Sequence, residues 1–568
     1  MKILLQHNGI YDLQLPFLLF FKQLIMKKLF ACICVFLYVT VLQAQENGKI
    51  QRPKLVVGIV IDQMRWDFLY RYYERYGEHG FKRMLNEGYN CQNTMINYLP
   101  SFTGPGHATV YTGSVPAIHG IAANDWINYQ TGGFVYCAED KTVRPVGGSV
   151  KAGLMSPRNM YTTSITDELK IATRQRAKVY GIGIKDRGSI LPAGHSADGA
   201  FWFDDSTGNF MTSTYYMNEL PEWLTRFNNK RWADTFMDSR WELLYPLETY
   251  LASTKDDMPT EGKFPGENAP VFPHSTPRYK GRGYYGIRYM PWGNTITLKA
   301  AKACIKGERL GSDEITDFLC ITLSSPDYAG HNYGPDALEI EDMYLRLDKE
   351  LASLLNYLDK NVGKNAYTVF LTADHGAAHN ADLMKQMKIP AGSETQAEAT
   401  DRLNSYLRQK TGKDSLVLAL YNYQVYFNDG VPQAGDTDIE ALKKYVIEWL
   451  YQQDGVAYVV DMEEMDDAVL PEPVRTMVVN GYNRERSGSI QVVMKPGWYS
   501  GHGKTGTTHG SWNPYDTHIP LLWFGAGIRK GSTHRTVNMT DIAPTIAALL
   551  KIQMPNGCIG TVITEALD

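Results

Sequence analysis

Hydrophobic positions along this chain gather into a few dense blocks, with stretches of helical spacing between them. Residues 54–62, KLVVGIVID, run almost without a polar break and close on an acid. Such a run has no polar face, so it predicts a strand buried on both sides, as in a parallel sheet. Four further blocks read alike: KVYGIGIK at 178–185, FLCITLS at 318–324, YTVFLTADHG at 367–376 and IPLLWFGAGI at 519–528. Apolar residues at three- and four-residue intervals predict helices at 67–87 and at about 159–173, 294–308, 336–359 and 541–551. Strands alternating with helices predict an α/β fold, with a mostly parallel central sheet and helices on both faces.

Two stretches break that rhythm. Residues 255–290, rich in Pro, Gly and Tyr, read as a long irregular excursion. Residues 395–500 carry a small α/β pattern of their own, with LVLALYNYQVYF at 416–427, a helix near 438–452 and SIQVVMK at 489–495. They read as a cap subdomain inserted into a core made of 53–394 and 501–568. No internal repeat is visible.

Composition narrows the function classes. A net charge of −4 gives no argument for binding nucleic acid or an anionic membrane surface, partners that usually leave a basic patch or a strong charge asymmetry. Near the N-terminus, Met26-Lys27-Lys28 precedes LFACICVFLYVTVLQA, a positive start and a short apolar run ending on Ala44. That is the layout of a signal peptide at 26–44, cleaved after Ala44, with 1–25 an untranslated upstream start. The expected destination is the periplasm or the medium, and no stable membrane anchor is expected because the run is short for a span. Cys32 sits in a partial lipidation box, which leaves that modification open. The exported chain keeps Cys91, Cys137, Cys304, Cys320 and Cys558, whose spacing fixes neither a disulfide pairing nor a cysteine metal site. Oligomeric state is not legible.

Candidate chemistry falls at the C-terminal ends of the predicted strands, where open α/β sheets place their ligands. Asp62 closes the first. Asp327 and His331 follow FLCITLS in SSPDYAGH, Asp374 and His375 close the fourth, and His509 precedes the last, in GTTHGSW. Each has a plain alternative: an aspartate there caps helices or forms turns, and a lone histidine is commonly a core or surface residue. Recurrence is what points to metal. Three carboxylates and three imidazoles on one sheet edge suit two zinc ions better than calcium, which prefers oxygen alone. His119, His195, His502 and His518 lack that support and read as structural. Ser101-Phe102-Thr103-Gly104-Pro105-Gly106-His107 reads as a helix start, where the Thr103 hydroxyl either caps the helix or faces a bound anion.

The order Asp62, TGPGH, YTGSVPAIHGI, DxxxH, ADHG, THG resembles the alkaline phosphatase superfamily from about residue 53 to the C-terminus. Within it the chain is most similar to the branch of nucleotide pyrophosphatase/phosphodiesterases and phosphate-irrepressible alkaline phosphatases. The resemblance implies one zinc on Asp327, His331 and His509. A second is implied on Asp62, Asp374, His375 and Thr103, with Thr103 as the nucleophile that passes through a phosphothreonine. It also implies that Asn124, Lys185 and Arg187 bind the phosphate of a small-molecule monoester. Taken without it, Lys185-Asp186-Arg187 reads first as a solvated turn.

Phosphomonoesterase is the leading expectation, since extra cationic donors favour a dianion. A phosphodiesterase or nucleotide pyrophosphatase would share the same metals. A sulfatase is disfavoured because Thr103 is followed by Gly-Pro-Gly. A metal-dependent binding protein without turnover would lack a ligand or the nucleophile, and neither is missing.

Overall fold

Eleven strands form the central sheet. In chain order they are β1 (Leu55–Ile61), β2 (Tyr89–Met95), β3 (Pro145–Val146), β4 (Val179–Gly183), β5 (Gly199–Asp204), β6 (Asn209–Ser213), β7 (Asp317–Leu323), β8 (Tyr367–Thr372), β9 (His518–Ile519), β10 (Leu521–Gly525) and β11 (Gly531–Asn538). Across the sheet they lie as β9-β2-β10-β8-β1-β7-β4-β5-β6-β3, with β11 on β2. The middle of the sheet, β8-β1-β7-β4-β5, is parallel. Antiparallel strands extend it on either side, through β10 against β8 and β6 against β5. This computed structural model describes residues 22, 25–29 and 52–568, except 265, 280, 282, 429–437 and 502–503. Pro53–Asp568 forms one of its two compact units. The expected leader, its upstream start and Cys32 fall mainly outside the described residues.

The continuous apolar runs are the central strands. Every residue of β1, β7 and β8 is buried. Helices cover them in two groups: α1 (Thr103–Thr112), α2 (Ile165–Ala172) and α3 (Asp186–Ala193) pack together, and α4 (Trp292–Glu308), α5 (Ser325–Tyr333) and α6 (Leu338–Leu358) pack together. The C-terminal helix α7 (Ile542–Leu550) joins the first group.

Differences from the expected elements have local causes. The helix expected at 67–87 is three short pieces, Phe68–Arg71, Tyr73–Arg75 and Phe81–Glu87. The last break lies where Asp348 of α6 accepts the N–H groups of Gly77 (2.7 Å) and Phe81 (2.8 Å) and so takes over the role of a cap. Strands β2, β6 and β11 escape a search for apolar runs, because they carry polar residues or, like β11, are largely exposed, and β5 because its apolar run, Ala200–Phe203, is short.

The segment 416–427 is a hairpin, Val417–Tyr421 against Gln424–Phe427, turning at Asn422 and Tyr423 with φ of 55° and 60°. Two consecutive left-handed residues match the twist of a tight hairpin. This hairpin belongs to a separate four-stranded sheet completed by Ile490–Met494 and Val456–Asp461. Helices Gln396–Thr411 and Ile439–Tyr451 bury Leu403, Leu407, Leu442 and Val446 in a cluster with Val425 and Ile490 of that sheet. A parallel pair, Gly392–Glu394 with Trp498–Ser500, brings the two ends of this segment side by side. The five cysteines of the described chain are unpaired.

Candidate active site

The parallel strands end together. Asp62 N donates to Leu323 O at 3.0 Å, which aligns the ends of β1 and β7. Asp62 follows β1, Asp374 lies two residues past β8, and Asp327 and His331 sit one turn apart on α5, on the same helix face. His509 arrives from the loop before β9. Asp62, Asp374 and His375 are wholly buried, and Thr103, Asp327 and His509 nearly so.

The three histidines share one arrangement. Nδ1 of His331 meets Thr507 O at 2.9 Å, Nδ1 of His375 meets Gly376 O at 2.9 Å, and Nδ1 of His509 meets Ser101 O at 2.8 Å. Carbonyls only accept, so each Nδ1 carries the proton and each Nε2 presents a lone pair to the carboxylates. His331 Nε2 lies 3.2 Å and His509 Nε2 3.7 Å from Asp327 Oδ1. Around His375 Nε2 stand Thr103 Oγ1 at 3.3 Å, Asp62 Oδ1 at 3.5 Å and Asp374 Oδ2 at 3.5 Å. Asp62 Oδ1 and Asp374 Oδ2 are buried and have no hydrogen bond among the described residues. Asp327, His331 and His509 bring ligand atoms within 4.8 Å of one another, and so do Asp62, Asp327 and His375. Asp327 thus stands between the two groups, and Asp374 Oδ2 meets the same His375 nitrogen as Asp62 Oδ1. Orphaned buried oxygens facing the His375 lone pair fit a metal ion there, and one carboxylate with two imidazole lone pairs is a donor set that fits another at Asp327, His331 and His509.

Electrostatics agree with that donor set. Burial, with Asp327 and Asp374 close by, holds the Asp62 carboxyl well above its usual range. Burial would also raise Asp327, but Lys185, His331 and His509 outweigh it and hold this group well below. Burial, then His375 and His331, pushes His509 far down, so it stays neutral and able to ligate.

Thr103 opens α1, and the residue before it, Phe102, makes no side-chain cap. Its hydroxyl faces His375 instead, which removes the capping alternative. Gly106 permits the approach of α1, because a Cβ there would lie 2.5 Å from Asp374 O. Asn124 accepts the Gly104 N–H through Oδ1 at 2.7 Å, which fixes its amide beside the helix start. Lys185 is no solvated turn. It is 2% exposed, with Nζ at 2.6 Å from both Asp62 Oδ2 and Asp327 Oδ2. Arg187 is half-buried. Its Nη1 donates to Tyr136 OH at 3.1 Å, and its Nε is buried without a partner among the described residues.

His119, His195 and His518 lie outside the cluster, bonded to Thr109, Thr162 O and Gln92 O. His502 is outside the described residues. Sequence reasoning passed over His107, although TGPGH holds it: one turn after Thr103, its Nδ1 lies 2.9 Å from Thr103 O and 3.3 Å from Asp374 Oδ2. It also passed over Gln63, Tyr136 and Tyr328, for which spacing gave no signal. Tyr328 places its ring 5.1 Å from Lys185 Nζ.

The hairpin at 416–427 reaches this edge too. Tyr423 OH donates to His509 O at 3.4 Å and accepts Ser500 N–H at 3.1 Å. Asn422 Nδ2 donates to Asp125 O at 2.7 Å, beside Asn124, and Tyr421 OH meets the Asp125 carboxylate.

The profile described as type I phosphodiesterase / nucleotide pyrophosphatase matches residues 56–516, from β1 to the loop after His509. The chain belongs to that family. Its members lie within the alkaline phosphatase superfamily, which the motif order implied. Among the relatives of this phosphodiesterase/pyrophosphatase-family chain, alkaline phosphatase PafA of Elizabethkingia meningoseptica is 49% identical over 93% of this chain and 96% of its own. A protein of Myroides odoratus named calcium-transporting ATPase is 50% identical over 94% and 98%. The crystal structure of wild-type PafA superposes with a TM-score of 0.90 at 48% identity, covering 92% of this chain and all of that one. The α/β fold with its central sheet is therefore shared with PafA. No helix among the described residues is long and apolar enough to cross a membrane.

Proposed function

We propose that this protein is an exported, zinc-dependent alkaline phosphatase that releases inorganic phosphate from small-molecule monoesters. The observation that carries the reading is the meeting of Thr103, three imidazole lone pairs, a buried Lys185 and a half-buried Arg187 at one sheet edge. Asp327, His331 and His509 would hold one zinc, and Asp62, Asp374, His375 and Thr103 Oγ the other. Bound there, zinc supplies Lewis acidity that lowers the pKa of a coordinated hydroxyl and offsets charge on phosphate oxygens. Thr103 Oγ then forms the bond to phosphorus as the ester oxygen leaves in line, and water cleaves the resulting phosphothreonine to return the hydroxyl. Arg187 and Asn124 donate to the nonbridging oxygens, Arg187 held by Tyr136 and Asn124 by Gly104. Lys185 adds positive charge beside them. His107 steadies the start of α1 against Asp374.

The name of the Myroides relative joins transport to ATP hydrolysis. Only phosphoryl transfer to water has a counterpart among the residues of this site. The segment 395–500 acts as a cap that shapes access, and export follows cleavage after Ala44.

Diester cleavage is the second reading, favoured by the position of Lys185, whose charge is shared with two ligand carboxylates. Comparing kcat/KM for an aryl phosphate and an aryl methyl phosphate, with zinc supplied, decides between them. A monoester preference supports the phosphatase reading, and a diester preference overturns it.

A further inference from the structure

Gln63 follows Asp62 at the end of β1, with its backbone in the left-handed region at φ 66°. Residues with side chains seldom adopt that conformation, and surrounding contacts must hold it. Two do. Gln63 N–H donates to Asp374 Oδ1 at 3.1 Å, and Gln63 Nε2 donates to Asp327 Oδ1 at 2.8 Å. These aspartates belong to the two different ligand groups, so one residue reaches both. The side chain crosses α5 at Gly330, where a Cβ would stand 1.8 Å from Gln63 Oε1. Gly330 lies between Asp327 and His331 in the chain, so the crossing point falls within one ligand group.

We propose that Gln63 is a positioning residue that locks the Asp327 carboxylate for the ion shared with His331 and His509. Its backbone N–H does the same for Asp374 in the other group. The inference rests on the two-metal reading. Asp327 Oδ2 already meets Lys185 at 2.6 Å, so the Gln63 amide ties the second oxygen and the carboxylate no longer swings between the groups. An amide suits the task because it donates without adding charge among three buried acids, whereas a glutamate there would repel them. Outer hydrogen bonds of this kind set ligand orientation and metal affinity. Replacing the side chain removes one of the two bonds and spares the other, so the effect is selective for one site.

The test is zinc titration of the metal-stripped chain against a chromophoric chelator, which resolves two affinities. Gln63→Met keeps volume and backbone N–H and loses the amide. Gly330→Ala leaves residue 63 intact and displaces only the flexible end of its side chain, in a helix that favours alanine. Each variant is expected to weaken one affinity by roughly tenfold to a hundredfold and to leave the other near wild type. The melting temperature of the stripped chain should hardly change. Two zinc ions on the wild type with both affinities unchanged in both variants would overturn the positioning role. So would an effect in Gln63→Met with none in Gly330→Ala, or equal weakening at both sites with a lower melting temperature. A wild-type chain that takes up no zinc overturns the two-metal reading itself.

Discussion

Lys185 Nζ lies 2.6 Å from Asp327 Oδ2 with both side chains buried, and Asp62 Oδ2 stands equally close to the same ammonium. The ammonium therefore belongs to the ligand set as much as to any phosphate clamp. Removing one partner of a buried pair strands the other, at about 3–5 kcal/mol. Lys185→Met should lower the melting temperature of the metal-stripped chain, and added zinc should restore most of the loss. A variant that melts like wild type without metal would show that the carboxylates do not need this charge.

Arg187 carries the substrate side of the same question. Lys185→Ala with Arg187→Ala should reduce monoester turnover far more than diester turnover. A charge-assisted hydrogen bond contributes roughly 1.5–3 kcal/mol, and it strengthens with charge on the acceptor. Asn124→Ala should act the same way but less strongly, as a neutral donor. Equal losses on both substrates would mean that these residues position the phosphate group without selecting monoesters.

The environment of Thr103 predicts a chemical role. Thr103→Ala should abolish acid-stable labelling by a phosphate donor and reduce turnover by roughly a thousandfold or more, while Thr103→Ser retains both in part. Peptide mapping of the labelled chain checks the position. Label on Ser101, whose hydroxyl donates to Ser511 O, would move the nucleophile.

Metal content follows the ligand groups. Elemental analysis should give two zinc ions per chain, and Asp62→Ala and His509→Ala should each lower that number from a different group. Full activity after thorough chelation would reject the assignment.

Asp516 gives a pH signature separate from catalysis. Burial pushes its carboxyl up to about 7, although Ser511 donates to it from backbone and side chain. The folded chain therefore holds this proton more tightly than the unfolded chain. The stability it contributes is full below about pH 4, near the ordinary value of 3.8, and is lost as pH rises through 7. Denaturant unfolding should show wild type losing stability over that window relative to Asp516→Asn, on the order of 4 kcal/mol at most. Parallel curves for the two chains would refute the shift.

The central strands were legible because burial on both faces leaves no polar position to confuse the pattern. Most ligand residues were legible because they close such a strand or lie on the helix that follows it, and His509 because it precedes the last of them. Strands β2 and β11 were not, since both carry the polar residues that loops also carry. Gln63 and His107 were hidden for a different reason. Their roles lie in hydrogen bonds between segments hundreds of residues apart in sequence, such as Gln63 with Asp327 and Asp374, and no local spacing encodes those. Asp327 and Asp374 were found singly, but that one carboxylate stands between both groups is a property of three-dimensional placement.

The turn at Asn422 and Tyr423 fastens the small sheet to the carbonyl of His509 at one point and to Asp125, beside Asn124, at another. A segment pinned on both sides of the reacting centre does not behave as a door. Trimming it to admit bulkier esters would release the backbone that sets one imidazole and unseat a neighbour of a phosphate donor.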